Sequence, residues 1–180
     1  MIKKIFIVIA AIFIMTGSMA AVPIHATQQD EDFATHREIR KKLVTLPYYG
    51  IFDNLSYKLE GDTVILYGQT IHSSTRKDAE RRIRKIEGID RVVNNIEVLP
   101  FSRFDDRIRI SAFRTIFRSG NLSRYAQGVN PSVHLIVKNG HLTLEGFVAT
   151  EGDSRLAYIA ARGVPDVFSV TNNLRIEDRY

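Results

Sequence analysis

Cysteine is absent from the 180 residues. That excludes disulfide scaffolds, thiolate metal sites and cysteine nucleophiles, and also lipid attachment at a processed N-terminal cysteine. Catalytic signatures are missing as well: there is no Gly-x-Ser-x-Gly elbow, no glycine-rich phosphate loop and no HExxH. Serines are plentiful, but none is flanked by a recognisable base, so the sequence reads as non-enzymatic with no cofactor. Beyond Met15 no apolar run long enough to span a bilayer follows.

What is present starts with a leader. Met1 to Lys4 is short and basic, Ile5 to Met15 is unbroken apolar sequence, and Ser18-Met19-Ala20 has the small-x-small pattern of a cleavage site. An 11-residue helix reaches only about 16 Å, roughly half the hydrocarbon thickness, which favours a signal peptide over an anchor. Residues 1–26 are therefore expected to be removed, with cleavage after Ala20 or, later, after Ala26. The mature chain is expected to be a soluble periplasmic protein, or a secreted one in a cell with a single membrane. The formal charge of +5 falls to +3 once Lys3 and Lys4 are gone. A pI near 9.6 would suggest nucleic acid in the cytosol. For an exported chain it suggests anionic phospholipid or another envelope polyanion, and no nucleic acid.

Residues 62–98 and 140–176 align without a gap at an offset of 78. Leu66, Gly68, Ala79, Arg84, Val92, Asn94 and Asn95 recur as Leu144, Gly146, Ala157, Arg162, Val170, Asn172 and Asn173. Each copy reads as helix, hairpin, helix, strand. Phe33 to Leu46 carries Ile39, Leu43 and Leu46 at helical spacing, and Phe104 to Arg118 carries Ile110, Phe113 and Phe117. Two-residue turns at Gly61-Asp62 and Asn139-Gly140 join strands 55–60 to 63–70 and 132–138 to 141–149. Second helices are expected from Ser74 to Glu87 and from Glu151 to Arg162, and last strands from Arg91 to Val98 and from Val167 to Ile176. The fold is α+β: two tandem αββαβ modules, 30–99 and 103–178, each a three-stranded sheet with two helices on one face. The linker, Pro100-Phe101-Ser102, is too short to be a flexible tether, so the modules should touch. Pairing across the second turn puts Val133, Leu135, Val137, Leu142 and Leu144 on one face. His134, Lys138, His141, Thr143 and Glu145 lie on the other, expected to be wet. The first hairpin turns Leu55, Tyr57, Leu59, Val64 and Leu66 inward.

The hairpin Val133-His134-Leu135-Ile136-Val137-Lys138-Asn139-Gly140-His141-Leu142-Thr143-Leu144-Glu145-Gly146 and the strand Val167 to Leu174 resemble the BON domain. A looser version occurs at Val64 to Gly68 and Val92 to Ile96. The resemblance implies a bacterial envelope protein, related to osmotically induced periplasmic proteins of the family, that attaches to phospholipid membranes and has no catalytic residue to carry over. The longer connection Ser119 to Pro131 sets the second copy apart from the first.

Candidate chemistry is sparse. His134 and His141 lie roughly 13 Å apart along the strands, too far for one metal ion, and read as solvated side chains. Asp105-Asp106 reads as a helix start. One asparagine of each Asn-Asn pair should serve the structure, because a buried amide needs backbone partners. The second helices differ more. In the first copy Arg76, Lys77, Arg81, Arg82, Arg84 and Lys85 surround Ala79, Ile83 and Ile86, and Arg76, Lys77, Arg81, Arg82 and Lys85 are the lipid-contact candidates. In the second copy Leu156, Tyr158 and Ile159 flank the core stripe Ala157, Ala161 and Val164, so this helix should be covered by the first module or by a partner such as an envelope protein. Phe101, Phe104, Tyr125 and Phe168 are expected in core or linker packing, with interfacial anchoring as the alternative. The functional expectation is peripheral binding to anionic phospholipid surfaces, with a protein-interaction scaffold as the alternative.

Overall fold

Residues 28–128 and 130–177 are described by the computed structural model, with side chains from Asp32 onward. The expected leader, 1–26, lies outside them. No helix among the described residues is long and apolar enough to cross a membrane.

The first module runs α1 (Gln28–Val44), β1 (Asn54–Glu60), β2 (Thr63–Thr70), α2 (Ser73–Ile83) and β3 (Arg91–Val98). The second runs α3 (Arg103–Phe117), a 3₁₀ segment (Gly120–Ala126), β4 (Val133–Lys138), β5 (His141–Val148), α4 (Glu151–Arg162) and β6 (Ser169–Ile176). Each sheet has its middle strand antiparallel to the hairpin partner and parallel to the last strand. A parallel pair cannot be closed by a tight turn, so the second helix serves as the crossover. The hairpin registers are the expected ones, with Leu59 opposite Val64 and Lys138 opposite His141. The α+β tandem architecture is thus the one expected from the repeat.

Ile39, Leu43 and Leu46 pack on Val64, Leu66, Ala79 and Ile83 in the first core. The second core joins Ile108, Ala112 and Ile116 to Leu135, Leu142, Leu144, Ala157 and Ala161. Here α3 departs from expectation. Its buried face carries Asp105, Ile108, Arg109, Ala112 and Ile116, while Ile110 is 50% and Phe113 39% exposed; only Phe117 of the expected stripe is buried. The reason is electrostatic satisfaction: two charged residues occupy the inner face because each finds buried partners there. Asp105 accepts the backbone N–H groups of Asn139 (3.0 Å) and Gly140 (2.8 Å). Arg109 donates to the Val137 carbonyl (2.7 Å) and pairs with Asp106. The helix cap is Ser102, whose hydroxyl accepts from the Asp105 N–H.

The first asparagine of each pair does the same structural work in both modules. Asn94 donates to the Arg76 carbonyl (3.0 Å) and Glu80, and Asn172 donates to the Ser154 hydroxyl (3.0 Å). Their side-chain oxygens accept from Ile96 and Leu174, so each ties the last strand to the second helix.

The modules meet through the segment Tyr49 to Asp53, which straddles the outer edge of β4. Ile51 and Phe52 pack against the second core, and the Ile51 carbonyl accepts the Leu135 N–H at 2.7 Å. On the opposite sheet face the Tyr49 ring lies 5.6 Å from that of His134, and His134 Nδ1 is 3.2 Å from the Gly50 carbonyl. Lys138 adds an ion pair to Glu97 at 2.6 Å.

Candidate functional site

The expected cationic face on α2 is largely spent within the first module. Arg81 pairs with Asp78 and Arg84 with Glu80, one helical turn apart. Arg82 donates to the carbonyl of Thr45 (3.0 Å), fastening α2 to the end of α1. Arg76 reaches the Asn94 carbonyl at 3.4 Å. Lys77 and Lys85 are exposed and form no ion pair among the described residues.

On α4, Leu156 is 37% and Ile159 62% exposed, and Tyr158 is half-buried. Ile159 is therefore not covered by the first module, contrary to one expectation. The module junction instead forms at β4, where an open sheet edge offers unpaired backbone groups as well as apolar surface. Leu156 faces Gly120 of its own module.

His134 also departs from expectation: it is buried, 8% exposed, because the Tyr49–Asp53 segment covers the sheet face expected to be wet. Burial pulls its imidazole below the ordinary value of 6.5, against the raising influence of the Gly50 and Asp53 carbonyls and the Asp53 charge. His141 is exposed and contacts the Ser169 hydroxyl at 2.7 Å, at the turn end of the hairpin and on the same face as His134 but four residues along from it. No cluster of His, Asp and Glu among the described residues could hold a metal ion. Tyr125 is buried and Phe104 packs on the second core, whereas Phe101 and Phe168 are 85% and 70% exposed.

The site that only the structure assembles is a groove of about 740 Å³ between the first module and α3. Ile51, Phe52, Ile110, Phe113 and Phe117 form its apolar walls, and Arg114 and Arg118 stand among its lining residues. Both arginines are exposed and neither forms an ion pair among the described residues. The geometry follows from helical periodicity: with 105, 108, 109, 112 and 116 inward, residues 110, 113, 114, 117 and 118 share the flank that the Tyr49–Asp53 segment faces. Ile110 and Phe113 were visible in the sequence as an apolar stripe but read as core. Ile51 and Phe52 had no assigned element, and the two arginines no assigned partner.

A second cleft, also about 740 Å³, lies across β1 and the ends of β5 and β6. Tyr49, Tyr57, Tyr67 and His134 line it, with Arg40 and Arg175. The Tyr49 hydroxyl is pushed up to about 12, chiefly by burial.

Two repeated αββαβ units, each a three-stranded sheet backed by its helices, define a tandem-module α+β protein. A family model described as BON domain matches residues 34–100 and 123–178, and the chain belongs to the BON-domain family. The second match omits α3, where the copies diverge. This family is non-enzymatic in general and found largely in the bacterial envelope. A search of curated protein sequences finds no match. Among solved structures, the C-terminal domain of CdsD, the structural protein of the type III secretion system of Chlamydia trachomatis, is similar at 10% identity and a TM-score of 0.33, covering 79% of this chain and 96% of that one. Another CdsD structure gives 10% identity and a TM-score of 0.31, covering 81% and 94%. At that distance the likeness carries no functional argument.

Proposed function

We propose that the chain is an exported, periplasmic, non-enzymatic envelope protein that binds anionic phospholipid surfaces peripherally, with the α3 groove as its main contact. The observation that carries this is the placing of exposed Ile110 and Phe113 on one flank with Arg114 and Arg118, which form no ion pair among the described residues. Apolar side chains gain by entering the acyl boundary, and each cation near an anionic surface contributes about 1 kcal/mol. The α2 candidates Arg76, Lys77 and Lys85 add long-range attraction to phospholipid or another envelope polyanion. Arg81 contributes less, because Asp78 already offsets its charge, and Arg82 is tethered to the Thr45 carbonyl.

Sedimentation with phosphatidylglycerol–phosphatidylcholine vesicles tests the reading. Binding should weaken steeply with salt. Reversing Arg114 and Arg118 to Glu should weaken it more than reversing Arg76, Arg81 and Lys85. If only the second set matters, the contact is α2; if neither does, phospholipid binding through these surfaces is wrong.

The exposed Ile159 and Leu156 support a second reading, an interaction scaffold in which α4 contacts an envelope protein through Leu156, Tyr158 and Ile159. Salt-insensitive capture of such a protein, lost on Ile159→Ser, would favour it.

A further inference from the structure

We infer that Asp53 and His134 are positioning residues that build the α3 groove, holding its first-module wall, Ile51 and Phe52, against the edge of β4. That the groove meets a lipid surface rests on the reading above; that these two residues build it does not.

In the β4–β5 hairpin, Lys138 pairs with His141 across a two-residue turn, so the backbone of Leu135 points away from β5. Its N–H would be an orphan at a buried edge, and the Ile51 carbonyl takes it at 2.7 Å. One residue earlier, the Gly50 carbonyl faces His134 Nδ1 at 3.2 Å. A carbonyl only accepts, so the neutral imidazole carries its proton on Nδ1. Thus two consecutive carbonyls of the first module are held by two consecutive residues of β4.

Asp53 gives the segment its shape. It is 1% exposed, and one carboxylate oxygen accepts the Gly50 N–H at 2.9 Å. The other accepts the Thr70 hydroxyl (2.7 Å) and the Ile71 N–H (2.9 Å), anchoring the segment to the β2–α2 connection. The positions equivalent by the offset of 78 are Pro131 for Asp53 and Ser56 for His134. Neither can supply the same contacts, so the device belongs to the junction and is not scaffolding common to both modules.

The imidazole is surrounded by Tyr49 and Asp53 from the segment and by Glu145 opposite it on β5, with Arg40 and Arg175 across the cleft. Burial still favours the neutral form. The docked segment therefore resists a proton that a released segment would let His134 take. Docking is fully supported above the ordinary value and weakens as pH falls from about 6.5.

Amide hydrogen exchange of the full chain at Leu135, with Thr143 as fold control, reads docking directly. Asp53→Ala should speed Leu135 exchange by roughly tenfold or more with Thr143 unchanged, and should reduce vesicle binding as far as Ile51→Ser plus Phe52→Ser. His134→Phe keeps a ring against Tyr49 but cannot titrate. In the native chain, Leu135 protection, corrected for intrinsic exchange, should fall between about pH 7.5 and 5.5; in His134→Phe it should stay level. Unchanged Leu135 protection in Asp53→Ala, or the same pH profile with and without His134, overturns the proposal. Leu135 released while vesicle binding stays intact would leave the positioning role standing and remove the groove from lipid binding.

Discussion

The Asp105 carboxylate holds the turn of the second hairpin by accepting the N–H of Gly140 at 2.8 Å, 35 residues along the chain. Its other oxygen takes the Asn139 N–H. At 1% exposure, no water can replace these bonds. Asp105→Ala should therefore cost about 1–3 kcal/mol, the penalty for orphaned buried donors. Thermal unfolding should show a midpoint lowered by several degrees, and Asp106→Ala, at a more exposed site, should show less.

Gly68 and Gly146 occupy equivalent positions in β2 and β5 with φ of +113° and +111°. A Cβ at either would collide with a backbone oxygen, that of Asn54 or of Ser132. Alanine at each site should destabilise its own module by roughly 3 kcal/mol or more, combining backbone strain and overlap. Module-resolved hydrogen exchange would show Gly68→Ala loosening β1–β2 and Gly146→Ala loosening β4–β5.

Asp153 receives hydrogen bonds from the Thr150 and Tyr125 hydroxyls, each at 2.7 Å, and pairs with Arg124. The two hydroxyl bonds hold its carboxyl below the ordinary 3.8. A depressed carboxyl contributes stability above its unfolded value and loses it as pH falls through the folded one. Asp153→Asn should thus lower the melting temperature at neutral pH, and the gap to the native chain should narrow as pH falls below the ordinary 3.8.

Ile159 is 62% exposed, so it adds little to the fold. Ile159→Ser should change stability by less than about 0.5 kcal/mol, whereas burial under the other module would make the cost a few kcal/mol. Chemical denaturation of the single variant separates the two, and a large loss would mean that α4 is covered in solution.

Export is tested by N-terminal sequencing of protein recovered from the envelope fraction. A start near Ala21 or Thr27 is expected from the leader pattern. A retained Met1 in membrane-embedded protein would contradict it.

Much of the architecture is determined locally and was therefore legible in the residues alone. Asn139-Gly140 and Gly61-Asp62 impose two-residue turns, and a two-residue turn sets which side chains face each other, so Lys138 opposite His141 followed directly. The offset of 78 extended that reasoning from one module to both. The contents of α3's buried face were not local. Asp105 and Arg109 look like surface residues until the Gly140 N–H and the Val137 carbonyl are brought beside them, and only then do Ile110 and Phe113 move outward. Likewise, Arg82 reads as a free cation until the Thr45 carbonyl, 37 residues away, is placed next to it. The groove depended wholly on tertiary structure. Ile51 and Arg114 are 63 positions apart and carry no shared periodicity. They meet because the free edge of β4 must satisfy the N–H of Leu135, and the carbonyl of Ile51 is what the first module brings to it.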